Sequence, residues 1–412
     1  MWSCIQQNIT QQFFTVHRTS SLLSTLSLLT AFIATCFPLE ASAGAATDTQ
    51  FRRYIQGICA GTITAPQGVV WDAVALGAMC AATGAVAGGN GSVVSANLGI
   101  ADTGSGTISL ENKKDYECLD DFKQKPGSKG CATDGWGLLI STQFGRSIRQ
   151  ETELENGFQS DLLGLLIGLD YRYSDSFILG SAASQTRDEA VFISSAGSLK
   201  SISNTLTMYA TWLPLEKVSV DGYLGYGVVN FDSQRRVFFN SPLGTASGST
   251  SGRQNMAGLS TAYQSKFGSV NVAPFINLDY IKTDIKGYNE TGRTTLELRY
   301  GDRNTISTTA SLGLRLSQSY NFNWGSLNPT LHGAGVHEFK NNSTLINNEL
   351  VLTPGAGILV ATDEPDRDYF LSGLGFAAAL KSGTQLFLNY ERRSGDSLLD
   401  SWAVSLGLLK EF

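Results

Sequence analysis

Polar and apolar side chains alternate along most of this chain with a period of two, the repeat of a β-strand whose two faces meet different surroundings. In LLGLLIGLDYRY the apolar parity is Leu163, Leu165, Ile167, Leu169, Tyr171 and Tyr173, opposite Gly164, Gly168, Asp170 and Arg172. VSVDGYLGYGV sets Val218, Val220, Leu224, Tyr226 and Val228 against Ser219, Asp221, Tyr223, Gly225 and Gly227. VNVAPFINLDY sets Val272, Ile276, Leu278 and Tyr280 against Asn271, Asn277 and Asp279, and ISTTASLGLRL sets Leu312, Leu314 and Leu316 against Ser311, Gly313 and Arg315. SWAVSLGLLKEF follows the same rule, with Trp402, Val404, Leu406, Leu408 and Phe412 on one parity.

A soluble sandwich also alternates, its apolar faces turned inward. Three features favour a membrane barrel instead. Segments run to ten residues or more, where soluble strands average about 5 to 6. Aromatic residues recur at segment ends, as at Tyr171, Tyr173, Tyr280, Tyr320, Phe322 and Tyr390, where an interfacial girdle would place them. The polar parity carries Asp170, Arg172, Asp221, Asp279 and Arg315 among many Gly and Ser, which suits a narrow wet lumen. The pattern predicts an all-β fold: a 12-stranded antiparallel transmembrane β-barrel with strands near 136–147, 161–173, 176–188, 203–213, 217–231, 253–266, 268–284, 304–320, 325–339, 368–381, 384–393 and 401–412. An even count puts both barrel ends on the periplasmic side, and segments 232–252, 285–303 and 340–367 then read as long outward loops.

Composition agrees. Of 412 residues 44 are Gly and only 16% are charged, against about 25% charged in soluble domains. A net charge of −6 without a basic block gives no footprint for nucleic acid. Residues 1–43 read as a signal peptide: His17 and Arg18, the apolar run SLLSTLSLLTAFIATCF, then Ala41-Ser42-Ala43 as a cleavage site. Thr35 before Cys36 is bulkier than lipoprotein processing wants, so lipidation is not expected.

Residues 44–135 are a separate province: a short, partly helical, cysteine-containing region, either a miniature passenger or a plug. QFRRYIQGICAG and the Ala-rich stretch Val69–Gly89 are candidate helices, followed by Gly-rich and then charged sequence. Cys59, Cys80, Cys118 and Cys131 form an even set in an exported chain, which argues for disulfides. Three connectivities exist, and nearest-neighbour pairing is preferred. Zinc is disfavoured, since no CxxC occurs and the chain has three histidines.

The segments also resemble a known family, in order along the chain. LIGLDYRYSDSFILGSAASQTRDEA (Leu166 to Ala190), PFINLDYIKTDIKGYNETG (Pro274 to Gly292), ASLGLRL, His337-Glu338-Phe339 and the terminal LGLLKEF are similar to the translocator barrels of autotransporters. The resemblance covers 136–412. It implies an outer-membrane barrel that translocates or displays its own N-terminal segment, with outer-membrane lipid, the barrel assembly machinery and periplasmic chaperones as partners. It also implies an assembly signal at Trp402, Val404, Leu406, Leu408 and Phe412, from which Lys410 departs. Two residues from the periplasmic end, Lys410 can snorkel. The alternative is a channel or adhesion barrel whose N-terminal segment stays periplasmic or in the lumen.

Catalysis, cofactors and metals are not expected. Gly395-Asp396-Ser397-Leu398 spells a lipase motif, but it lies in the last outward loop without a following Asp-x-x-His partner, and a serine nucleophile needs a base and an orienting group. His332 and His337, five apart on a strand, point to opposite faces and are not a metal pair.

Overall fold

The computed structural model describes residues 54–55, 58–60, 63–67, 69–73, 76, 79–80 and 135–411, apart from turn positions 153–154, 175, 194–195, 216, 240, 341–344 and 364–365. Its main body is a closed barrel of twelve strands. These are β1 (Gly135–Arg149), β2 (Phe158–Ser174), β3 (Phe177–Phe192), β4 (Gly197–Leu215), β5 (Val218–Phe239), β6 (Ser241–Tyr263), β7 (Val270–Ile285), β8 (Arg303–Ser317), β9 (Gly325–Glu338), β10 (Asp368–Leu380), β11 (Thr384–Ser394) and β12 (Leu399–Glu411). Each is antiparallel to its chain neighbours, and β1 pairs β12 from Gly137 opposite Glu411 to Arg149 opposite Leu399. That seam leaves no free edge, as a spanning sheet in hydrocarbon requires. Among the described residues no helix is long and apolar enough to cross a membrane; the strands do the crossing.

The parity rule decides which face is which. On β2, Leu165 is 53% exposed and its neighbour Leu166 only 6%. In a barrel, exposure marks the outer wall, so the apolar parity meets lipid and the buried parity faces the lumen. Five connections at one end are short, such as Ser174 to Phe177 and Leu215 to Val218, while three at the other are long or lead into further structure. Short turns define the periplasmic end. Trp136, Tyr173, Trp212, Tyr263, Phe267, Tyr320, Phe322 and Trp324 lie outward around that end as an aromatic girdle, with Phe322 and Trp324 stacked at 5.3 Å. Tyr280, Tyr390 and Trp402 face outward nearer the other rim.

The segment 232–252, expected as a loop, continues instead as the hairpin of β5 and β6, paired from Val218–Tyr263 to Phe239–Ser241 with one register shift between Val237 and Phe238. Its alternation persists beyond the apolar band, with Phe231, Ser233, Arg235 and Val237 all buried, so the ladder has no reason to stop at the lipid boundary. The other two long connections also fold. Tyr288–Asn289, Leu298–Tyr300, Leu345–Leu350 and Gly357–Ala361 form a second, four-stranded antiparallel sheet over the outer end. A bridge between Ser247 and Thr291 ties this outer sheet to the β6 extension.

Candidate functional site

The lumen is the first candidate, and its lining follows from the buried parity. Ser201, Ser203, Thr205, Thr207 and Thr211 come from β4 alone. Asp170, Asp221, Asp279 and Arg315 are buried on this face, and Arg172 is half-buried at its periplasmic end. Burial demands partners for such groups. Thr211 Oγ1 donates to Asp221 Oδ1 at 2.7 Å, and Tyr223 Oη donates to Asp279 Oδ1 at 3.2 Å. Arg315 lies over the Phe275 ring at 5.3 Å, within electrostatic reach of Asp221 and His332.

Several lumen groups escaped the sequence reading. His332 Nε2 meets Glu391 Oε2 at 3.0 Å with both side chains 1% exposed, and Arg393 pairs with Asp396 at 2.5 Å while stacking on Tyr369. Glu391 and Arg393 share the parity of Asn389 in LFLNYERRS, and that signal could have found them. His337 points outward to Asp368, on the face opposite His332, so the two histidines are far from forming a site.

The lining is also less polar than the alternation suggested. Leu139, Leu166, Ile178, Tyr209, Tyr223, Met256, Phe387 and Leu409 form an inward apolar cluster. Its rings lie down against the wall: Tyr223 covers Gly258 and Phe387 covers Gly407, and a Cβ on either glycine would run into the ring. Glycine on the inward parity therefore serves close approach of these rings.

In the GDSL string, Gly395 has φ 84° and Asp396 Oδ1 accepts from the Leu398 and Leu399 amides at 2.9 Å. That is turn chemistry: a short acidic side chain closing the β11–β12 hairpin while its other oxygen holds Arg393. The Ser397 amide donates to Asp366.

The outer end is the second candidate. Arg235 donates from Nε and Nη2 to the two carboxylate oxygens of Glu290 at 2.9 and 2.5 Å, and both side chains are 2% exposed. Nη2 also reaches the Leu296 carbonyl at 2.7 Å, while Glu290 accepts from the Leu298 amide and from Tyr300 Oη. Burial pulls the Arg235 guanidinium down, but the Glu290 charge outweighs it and the net pKa is raised. Burial also raises the Tyr288 and Tyr300 phenols, which stack at 4.7 Å.

Around this polar knot lies a dry cluster. Phe158, Ala190, Phe192, Leu199, Val229, Phe231, Ala246 and Ile285 project inward from six consecutive strands, and Leu298, Leu350 and Val360 of the outer sheet join them with Leu296 and Ala356 from its connections. Tyr54, Ile55, Ile58 and Met79 belong to the same cluster. The two short helical stretches that carry them are joined by the Cys59–Cys80 disulfide. Cys118, Cys131, Phe412 and residues 1–43 lie outside the described residues. Trp402 and Leu406 face outward, with Val404 and Leu408 half-buried on the same parity, and Lys410 Nζ snorkels to the Ser382 carbonyl in the periplasmic turn.

Fold and lining together define an outer-membrane β-barrel with a polar lumen and a folded outer cap. The family profile described as the autotransporter β-domain matches residues 140–391, and the chain belongs to that family. Among curated relatives, Lipase 1 of Photorhabdus luminescens is 25% identical over 252 residues, covering 60% of this chain and 38% of that protein. Outer membrane protein A of Rickettsia conorii is 26% identical over 244 residues, covering 55% of this chain and 12% of that one. The chain thus spans well under half the length of these relatives. The translocator domain of the autotransporter NalP from Neisseria meningitidis has a TM-score of 0.55 at 12% identity, covering 72% of this chain and 93% of that domain. The β-domain of the Bordetella autotransporter BrkA has a TM-score of 0.53 at 17% identity, covering 68% and 100%. At such identities the two structures speak for the fold alone. The protein is an outer-membrane autotransporter barrel, and its β-domain is a barrel rather than a catalytic fold.

Proposed function

We propose that this barrel displays its own N-terminal region, with residues 1–43 as the removed leader, 44–135 as the displayed segment and its connection, and 136–412 as the translocator. One observation carries the reading. Cys80 is packed at the outer end, whereas Gly135 starts β1 at the periplasmic end. Cys80 and Gly135 thus stand at opposite ends of the barrel, and 54 residues of chain, which at half of full extension span roughly 90 Å, are long enough to join them. A segment kept in the periplasm does not arrive at the outer rim, so the position of Cys80 speaks against that form of the channel alternative, and a segment held in the lumen is separated from display by surface labelling.

The lumen suits passage of a polypeptide: hydroxyls from β4 and the charges Asp170, Arg172, Asp221, Asp279 and Arg315 can exchange hydrogen bonds with a moving backbone without binding it at one place. No catalysis is assigned to the chain, and the lipase name of one relative belongs to a protein far longer than the matched part. Outer-membrane lipid contacts the outward parity, periplasmic chaperones carry the unfolded barrel, and the assembly machinery reads Trp402, Val404, Leu406, Leu408 and Phe412. Val70, 93% exposed, gives the test. A Val70→Cys chain on intact cells should react with a membrane-impermeant maleimide; reaction only after the outer membrane is breached defeats the reading.

A further inference from the structure

Beyond display, and resting on that reading, we propose that residues 54–80 are a resident cap whose receptor is the barrel's own outer sheet, held there by non-covalent contacts and not merely tethered by the chain that follows. Four side chains of the segment are sunk into the outer cluster: Ile55 and Met79 are 0% exposed, Ile58 3% and Tyr54 7%. Cargo in transit through a barrel has no reason to share a core with six strands and two loops of its carrier.

The polar contacts at the rim are equally specific. Tyr54 Oη donates to the Ala356 carbonyl, and Trp71 Nε1 donates to the Pro354 carbonyl at 3.2 Å. Between those two acceptors, Gly355 has φ 84° and presents bare backbone to Pro66; a Cβ there would come within 2.7 Å of Pro66 Cγ. Tyrosine, proline and tryptophan thus read three successive backbone positions, 354 to 356, of one outer loop. The Cys59–Cys80 bond closes the segment into a loop with a sequence separation of 21, which lowers the entropy lost when both helical stretches are seated together. The opposite side, with Thr64, Gln67, Val70 and Asp72, stays exposed. The surface offered to the environment is therefore a fixed disulfide-closed tip, not a released product.

Site-resolved labelling on intact cells tests this, with modification read by peptide mapping in the full chain. Val70→Cys reports display and Ile55→Cys reports docking. The expected result is rapid labelling at position 70 and labelling on the order of a hundredfold slower at 55, since a seated group reacts only on local opening. Trp71→Ala and Gly355→Val, which attack the contact from its two sides, should each accelerate labelling at 55 and leave that at 70 unchanged. Equal labelling of 55 and 70 in the parent background overturns the cap while leaving display intact. Failure to label 70 on intact cells removes both. Should Ile55→Cys itself unseat the segment, amide hydrogen exchange of residues 54–60 in the unmodified protein decides: protection that survives in the parent and collapses in Trp71→Ala upholds the cap, and exchange as fast as in an unfolded peptide overturns it.

Discussion

Arg235, on the β5 extension, and Glu290, in the loop between β7 and β8, face each other as a two-bond ion pair with both side chains 2% exposed. They join the longest barrel hairpin to the outer sheet, and Glu290 also holds the Leu298 amide. Removing one member leaves a desolvated charge, which costs about 3–5 kcal/mol. Glu290→Ala should therefore loosen the outer sheet and expose 286–302 to protease, with the barrel itself still folded. Arg235→Met combined with Glu290→Leu should be milder than Glu290→Ala alone, because no orphan charge remains. Limited proteolysis of the three proteins in detergent, with cleavage sites mapped, checks the order.

The phenols next to that pair predict an alkaline weakness. Burial raises the pKa of both Tyr288 and Tyr300 above the ordinary 10.0, so both stay neutral in the folded cap. An unfolded tyrosine ionises near pH 10. Below that value the two states hold the same protons and the contribution to stability is complete. As pH rises past 10 the unfolded state loses protons that the folded state keeps, and cap stability falls. Tyr288 and Tyr300 should therefore add nothing to tyrosinate absorbance of the folded protein, and replacing either by Phe should leave that absorbance unchanged up to the point where the cap opens. Tyr300→Phe should lessen the fall.

Inside the barrel, Tyr223 lying over Gly258 predicts a steric test. Gly258→Val puts a branched side chain into the ring and against Asp279 Oδ1, which a Cβ would approach to 2.7 Å. Overpacking of this kind costs about 1–3 kcal/mol, or more where backbone must shift. The unboiled barrel's gel mobility should show a smaller folded fraction, and Tyr223→Ala in the same chain should restore part of it. No restoration would mean that the glycine matters for some reason other than the ring.

The barrel was legible because one physical rule, lipid outside and water inside, is written at every second residue. Strand number and the antiparallel all-β architecture followed from it. What alternation could not show was where polar strands end. Beyond the lipid, Ser233 and Arg235 are as regular as Gly225 and Gly227, and a polar hairpin looks like a polar loop. The cap was hidden for a different reason. Its core joins Tyr54 to Ala356 across 302 positions, and no local pattern carries a contact of that separation. The pairing of His332 with Glu391 was hidden similarly: the two lie 59 positions apart on different strands, and only closure of the sheet brings them together.

The last strand allows a paired test of depth. Lys410 breaks the apolar parity yet reaches the Ser382 carbonyl at the periplasmic turn, where an outward lysine costs about 0–1 kcal/mol. Leu406, on the same parity and four residues further into the strand, lies roughly 10 Å deeper for a tilted strand and is 42% exposed to lipid. At the midplane the same charge costs about 2–4 kcal/mol. Leu406→Lys should thus sharply reduce the amount of folded barrel in outer-membrane fractions, and Lys410→Leu should leave it unchanged or slightly higher. The two substitutions alter one stripe of one strand in opposite directions, so equal effects would show that the terminal segment is read as a sequence alone, without regard to its depth in the bilayer.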